Sequence, residues 1–190
     1  MQLVLASTSP YRRVLLERLG RPFVVRAPDV DEAPSAGESP DALVRRLAEA
    51  KARAVATGRG PELIIGSDQV AVIDGEILGK PGTPERAFQQ LRRASGNRVS
   101  FATGLCLYNT ARDQLQVTVV PFHVHFRTLS DQRIRIYLER DRPFDCAGSF
   151  KSEGLGITLF RSLEGEDPTA LMGLPLITLT TFLEAEGVEP

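Results

Sequence analysis

No apolar run in this chain is long enough to span a bilayer, which argues against a membrane protein. Neither sign of charge dominates, since 23 basic residues stand against 24 acidic ones for a net charge of −1. Without a global positive field, a nucleic-acid polymer is not an expected partner, and any anion site must be local. Cysteine is scarce. Cys106 and Cys146 lie among apolar or small residues and no export signal points to an oxidising compartment, so buried thiols are expected rather than a bridge. The chain opens directly on a short apolar strand, without a basic segment, a long apolar stretch and a cleavage site. The expected location is therefore the cytoplasm. His123 and His125 are the two histidines. They alternate with apolar residues along a strand pattern with no cysteine close in sequence, so they read as structural and zinc is not expected.

Lysine is scarce too. Of the 23 basic residues only Lys51, Lys80 and Lys151 are lysines. Where arginine serves, this chain uses arginine, so a retained lysine marks a place that could need a compact charge rather than a planar fork. Drift under a compositional bias is the plain alternative. Lys80 lies in Gly79-Lys80-Pro81, Lys151 in a glycine-punctuated loop, and Lys51 ends an ordinary helical pattern.

At 190 residues the chain is one large domain, or two lobes sharing one core. Residues 3–6 read as a buried strand. A helix follows with Val14, Leu15, Leu16 and Leu19 on its apolar side and a stop at Gly20. Phe23 to Arg26 reads as a strand, 28–38 as a polar loop, and 40–57 as a helix with Leu43, Val44, Leu47 and Val55 inward. Leu63 to Ile73 is strand-like, and Asp74-Gly75 turns it into a hairpin through Ile77 and Leu78. A helix at about 84–94, strands at about 98–108 and 115–126, and a helix at about 131–140 follow. The tail holds a glycine-rich loop, a strand at 157–160, and one or two helices from 168 to 186. Ser9-Pro10, Ser39-Pro40, Thr83-Pro84 and Asp167-Pro168 each set a capping side chain before a proline, the arrangement of a helix start. This order predicts an α/β fold built on a mixed, twisted β-sheet flanked by helices.

Four segments could carry chemistry. Ser7-Thr8-Ser9-Pro10-Tyr11-Arg12-Arg13 puts hydroxyls and two arginines at a helix start, where backbone N–H groups and the dipole favour an anion. Arginine forks match phosphate oxygens in pairs. The glycines of a P-loop or dinucleotide fingerprint are missing, and a capped helix with solvated arginines is the bland alternative. Ile65-Gly66-Ser67-Asp68-Gln69-Val70 places polar residues inside an apolar strand. A carboxylate there is costly unless paired or facing a ligand, so Asp68 is a candidate base or metal ligand, or else a turn cap. The hairpin would return Lys80 toward Asp68. Glu32, with Asp29 and Asp31, offers hard oxygens suited to Mg²⁺ or Mn²⁺ completed by a substrate phosphate, or a merely solvated acidic loop. The loop from Ala147 to Gly156 carries Lys151 and Glu153, and its glycines permit close approach to a ligand; a flexible surface loop is the alternative.

Together these residues resemble the Maf family of nucleoside triphosphate pyrophosphatases over nearly the whole chain. The resemblance rests on Leu5 to Arg13, Val30-Asp31-Glu32, Ala50-Lys51-Ala52, Gly66 to Val70, Leu78-Gly79-Lys80-Pro81 and Thr103-Gly104-Leu105. It implies a single Maf-like domain over 1–190, two lobes around a central cleft, and a possible homodimer. It also implies divalent-metal-dependent hydrolysis of a nucleoside triphosphate to a monophosphate and pyrophosphate. Phe150 to Gly156 and the tail from Glu164 to Leu176 resemble the branch acting on 7-methyl-GTP, whose specificity positions fall on Tyr11, Gln69 and Glu153. Some members carry tryptophan where this chain has Tyr11. Methylated guanine is cationic, which suits an aromatic face and a carboxylate. Ser7, Arg12 and Arg13 would bind phosphate, with Asp68, Lys51, Lys80 and Glu32 catalytic. Glu32 and Asp68 would contact the metal. Hydrolysis of UTP and dTTP or of several nucleotides, a nucleotide-binding division regulator with little turnover, and a sugar-phosphate phosphatase are the competing readings.

Overall fold

The computed structural model describes residues 1–189; Pro190, the last residue of the expected domain, lies outside them. The elements are β1 (Gln2–Ala6), α1 (Pro10–Glu17), β2 (Phe23–Arg26), α2 (Pro40–Ala54), β3 (Glu62–Ile73), β4 (Glu76–Leu78), α3 (Pro84–Ala94), β5 (Arg98–Asn109), β6 (Gln114–Phe126), α4 (Asp131–Asp141), β7 (Phe160–Glu164) and α5 (Leu176–Ala185). Three short 3₁₀ segments, Ala147–Ser149, Leu155–Leu159 and Pro168–Met172, complete the chain. The seven strands pair in the order β2-β1-β3-β5-β6-β7, with β4 paired to β3. β1 runs parallel to β2 and β3, whereas β3–β4 and β6–β7 are antiparallel, so the sheet is mixed as expected of the α/β class. No described helix is long and apolar enough to cross a membrane.

The chain divides into two compact units. One comprises Met1–Gln69, Thr103–Val120 and the described residues from Asp167 on, the other Val70–Ala102 and Pro121–Glu166. In the first unit, side-chain alternation along the strands loads both faces of the sheet. Leu3, Leu5, Leu63, Ile65, Leu105 and Leu107 face Leu15 and Leu16 of α1 and Leu176, Leu179 and Leu183 of α5. Val4, Ala6, Ile64 and Cys106 face Ala48, Ala52 and Val55 on the α2 side. In the second unit, Phe101, Phe126, Phe150 and Phe160 meet edge to face with ring centroids 4.8–5.5 Å apart.

Two glycines let α2 lie close to its strands. A Cβ on Gly66 would sit 2.1 Å from the Ala48 carbonyl oxygen and 2.9 Å from the Ala52 nitrogen; one on Gly104 would sit 2.1 Å from the Val44 carbonyl oxygen. Val44, Ala48 and Ala52 are four residues apart, so one stripe of α2 presses against two bare strand positions. Lys51 belongs to the last turn of this helix.

The proline-marked caps hold at Ser9, Ser39 and Thr83, each accepting a hydrogen bond from the backbone N–H three residues on. Asp167 likewise caps the 3₁₀ turn Pro168–Met172, and α5 follows at Leu176, so two helices fill the stretch from 168 to 186. Three expectations need correction. The strand placed at 157–160 is displaced to Phe160–Glu164, because Leu155–Leu159 winds into a 3₁₀ segment closed by Thr158 Oγ1 donating to the Leu155 carbonyl at 2.8 Å. Val14 is 53% exposed, since α1 turns Leu15 and Leu16 inward and leaves the preceding position outside. Cys106 is buried but Cys146 is only half-buried, and neither forms a disulfide.

Candidate functional site

Lys51 and Asp68 come together because α2 rides on Gly66. The pairing of β1 with β3 ends at Ala6 and Gly66, so Ser7 and Ser67-Asp68 both leave from the carboxyl end of that parallel pair. At this position the Lys51 Nζ meets Asp68 Oδ1 and Glu32 Oε1, each at 2.6 Å. Lys51 is 6% exposed and Asp68 9%. A buried ammonium beside a buried carboxylate is tolerable because each compensates the other. Glu32 is more exposed and reaches Lys51 from the 28–38 loop.

That loop is tethered, not free. Asp31 Oδ1 accepts from the Ala33 N–H at 2.9 Å. Glu38 takes two hydrogen bonds from the Arg46 guanidinium, at 2.7 and 2.8 Å, and one from the Ser35 N–H. Arg46, on α2, also donates to the Ala33 carbonyl at 3.1 Å. The Arg46 fork, with the Ser35 amide, holds the Glu38 carboxyl down at about 2.

At the start of α1, Ser7 is buried, and its Oγ accepts from the Ser9 N–H at 3.1 Å and from Arg12 Nη1 at 3.5 Å. Arg12 Nε donates to the Gly173 carbonyl at 2.8 Å. Burial pulls the Arg12 pKa below its ordinary value, against Asp68 and Glu32, which raise it. Those two carboxylates therefore act on Arg12 as well as on Lys51. Arg13 takes a different course, exposed and paired with Glu17 one turn on at 3.1 Å. With Glu17, Arg21, Pro22, Phe23 and Val25 it lines a shallow, open depression. Tyr11 is half-buried in the first turn of α1.

The 3₁₀ turn Pro168–Met172 and Gly173 supply acceptors that sequence reasoning did not foresee. The Gly173 carbonyl receives Arg12, and the buried Ser67 hydroxyl lies 2.8 Å from both this oxygen and the Gly104 carbonyl. A hydroxyl has one proton, so it donates to one of them at a time. Gln69 Nε2 faces Thr103 Oγ1 at 3.0 Å and the Ala170 and Leu171 carbonyls at 2.6 and 3.2 Å. Its amide nitrogen is thus committed to the protein. Asp167, 2% exposed, holds the turn in shape. One of its oxygens accepts from the Thr169 N–H and hydroxyl, the other from the Ile177 and Thr178 N–H groups at the start of α5. The only sequence signs of this role were a buried-looking Asp-Pro start and the Gly173-Leu174-Pro175 break.

The remaining candidates belong to the second unit. Lys80 follows β4 and is exposed. The preceding Gly79 carbonyl accepts from Gln90 Nε2 at 3.0 Å, and Gln90 Oε1 in turn accepts from the buried Ser149 hydroxyl. Glu153 is exposed on the turn Lys151–Gly154, where Ser152 Oγ donates to its Oε2 at 3.3 Å. His123 Nδ1 lies 3.0 Å from Ser100 Oγ, and His125 Nε2 2.9 Å from Glu164 Oε2.

Glu32 and Asp68 are hard oxygen donors that suit Mg²⁺ or Mn²⁺. Among the described residues no three His, Cys, Asp or Glu side chains are grouped to hold a metal ion. Two carboxylates sharing one ammonium fit a cation whose shell is finished by ligand oxygens, and do not fit one held by protein alone.

Residues 2–186 match the family described as Maf-like protein. The chain is 64% identical over 188 residues to a Pseudomonas aeruginosa protein named 7-methyl-GTP pyrophosphatase, covering 98% of this chain and 97% of that one. Proteins of the same name from Nitrosococcus oceani and Alcanivorax borkumensis are 59% and 58% identical. They cover 97% and 98% of this chain and 93% and 95% of their own lengths.

Proposed function

The chain belongs to the Maf-like protein family, and we propose that it hydrolyses 7-methyl-GTP to 7-methyl-GMP and pyrophosphate, a cytoplasmic clearing of modified nucleotides. The observation that carries this reading is the buried Lys51 ammonium held at 2.6 Å by both Asp68 and Glu32, in a chain whose relatives bear that activity in their name.

Ser7 and Arg12 bind the triphosphate at the start of α1, where N–H groups and the helix dipole favour phosphate, and Arg13 joins them on the strength of the resemblance, giving up its pairing with Glu17. Asp68 orients a water molecule and takes its proton as the water oxygen attacks the α-phosphorus. Lys51 offsets charge on the departing pyrophosphate, a contribution that outweighs proton removal when negative charge gathers on oxygen. Lys80 shares that role on the strength of the resemblance. Mg²⁺ or Mn²⁺, held by Glu32 and Asp68 together with substrate oxygens, would supply further neutralisation of the triphosphate. Tyr11, Gln69 and Glu153 select the base. Glu153 accepts from the N1 and N2 donors of guanine, a pair that a pyrimidine does not present. With the Gln69 amide nitrogen tied to Ala170, Leu171 and Thr103, its Oε1 is the end suited to a donor on the ligand. Two copies of the chain form the working particle.

Product identification tests the reading. With Mg²⁺ or Mn²⁺ and a panel of 7-methyl-GTP, GTP, UTP and dTTP, 7-methyl-GTP is expected to be consumed fastest, giving 7-methyl-GMP and pyrophosphate. Faster turnover of UTP or dTTP would move the assignment to pyrimidines. Inorganic phosphate as product would make the protein a phosphatase, and binding without turnover a regulator. Asp68→Asn is expected to lower kcat on the order of 10²-fold or more.

A further inference from the structure

Lys151 is the retained lysine that this reaction does not use, and the structure gives it another occupation. Its Nζ donates to the backbone carbonyl of Asp141 at 3.0 Å. Asp141 is the last residue of α4, and the next residue, Arg142, leaves the helix in the left-handed region. The last carbonyls of a helix lack intrahelical partners and carry the negative end of its dipole. A compact ammonium satisfies one of them without the breadth of a guanidinium fork.

The backbone of Lys151 is held as well. Its N–H donates to the Tyr137 hydroxyl, also on α4, at 3.0 Å, and its carbonyl accepts from the Gly154 N–H at 3.2 Å. Lys151 to Gly154 is therefore a closed turn with Glu153 at its third position. Gly156 is required by contact, and Gly154 sits tightly against a side chain. A Cβ on Gly156 would lie 2.3 Å from the Lys151 carbonyl oxygen, and one on Gly154 about 3.0 Å from an Asp141 carboxylate oxygen. Upstream, Phe150 is buried in the phenylalanine cluster. Of this stretch, Glu153 stays exposed while Lys151, two residues before it, is fastened to α4.

We propose that Lys151 is a positioning residue for base selection: clamping the Lys151–Gly154 turn onto the end of α4 fixes where Glu153 presents its carboxylate. The proposal rests on the assignment of Glu153 to guanine recognition. It gives Lys151 no contact with phosphate.

Two readouts separate this proposal from that assignment. The first is amide exchange in the intact protein without nucleotide. Lys151→Met and, independently, Tyr137→Phe are expected to speed exchange at residues 151–154 about tenfold, with the core of α4 unchanged. Tyr137→Phe keeps the ring and removes the hydroxyl, which accepts from the Lys151 N–H and also bonds the Asp141 side chain. Unaltered exchange at 151–154 in both variants overturns the clamp, whatever the protein hydrolyses. The second is kcat/KM on 7-methyl-GTP and UTP. Lys151→Met is expected to lower the ratio of the two about tenfold with UTP turnover unchanged. The Lys151→Met/Glu153→Gln double variant should lose no more preference than Glu153→Gln alone. An equal loss on both nucleotides would make Lys151 a phosphate ligand and sink the proposal. A wild-type protein with no preference for 7-methyl-GTP would instead overturn the functional assignment, and the exchange result would still decide the clamp.

Discussion

Gly66→Ala is the smallest change that should reach the candidate site from a distance. The added Cβ would lie 2.1 Å from the Ala48 carbonyl oxygen and 2.9 Å from the Ala52 nitrogen. Both are backbone atoms of α2, so no side chain can swing aside. Relief to an ordinary contact requires α2 to withdraw by roughly 1 Å, a gap that forfeits a quarter to a half of each dispersion contact along the stripe. Overpacking of this kind costs about 1–3 kcal/mol and occasionally more; with rigid backbone on one side, about 3 kcal/mol is expected. For a chain of this size that lowers Tm by about 6–12 °C. Lys51 moves with the helix, and its 2.6 Å contacts to Asp68 and Glu32 cannot both survive such a displacement. A misplacement of about 1 Å in a reacting constellation can cost on the order of 10²-fold in turnover. Thermal unfolding and pyrophosphate release measured on one preparation check both figures. Gly60→Ala is the control, since nothing lies within 4 Å of a Cβ there. If Gly66→Ala matched Gly60→Ala in Tm and kcat, close seating of α2 would have no part in building the site.

Three further outcomes are expected. Lys51→Met fills the same space but leaves Asp68 buried without its cation, so the denaturant midpoint should fall by the equivalent of about 3 kcal/mol; an unchanged midpoint would mean water replaces the ammonium. Asp167→Ala removes the acceptor of four hydrogen bonds and should cost about 2 kcal/mol, together with most of the activity. Retained activity would show that the 3₁₀ turn holds its shape unaided. The Glu38 carboxyl is depressed to about 2, so the stabilisation it draws from Arg46 is present above the ordinary carboxylate range and is lost as pH falls through about 2. A stability difference between wild type and Glu38→Gln should therefore be visible near pH 6 and vanish in strong acid, and a gap independent of pH would remove the ion pair from the account.

Local rules made most of the fold legible. Apolar runs marked β1 and β3 as strands, and the Ser-Pro and Thr-Pro starts located α1, α2 and α3 because capping is a short-range interaction. Val14 and the 157–160 strand misled, since an apolar side chain beside a helix face and an apolar run beside two glycines look the same before tertiary contacts choose between them. Asp68 and Lys51 were each conspicuous in sequence, but their 2.6 Å meeting was not, because it depends on Gly66 and Gly104 letting α2 lie close against the strands. The partners of Arg12, Ser67 and Gln69 were harder still. Each has one among the backbone carbonyls of Ala170, Leu171 and Gly173, and a carbonyl leaves no signature in the identity of the residue that bears it.

Those carbonyls have a consequence for biosynthesis. Arg12, Ser67 and Gln69 are made early and their acceptors are made late, with 161 residues between Arg12 and Gly173. A nascent chain that stops before Asp167 contains all seven strands and the first four helices, yet its arginine, serine and glutamine lack these late acceptors and keep only Ser7, Gly104 and Thr103. Completion of this network therefore waits for the last stretch of the chain, and a product cut short before Asp167 would lack the acceptors at Ala170, Leu171 and Gly173.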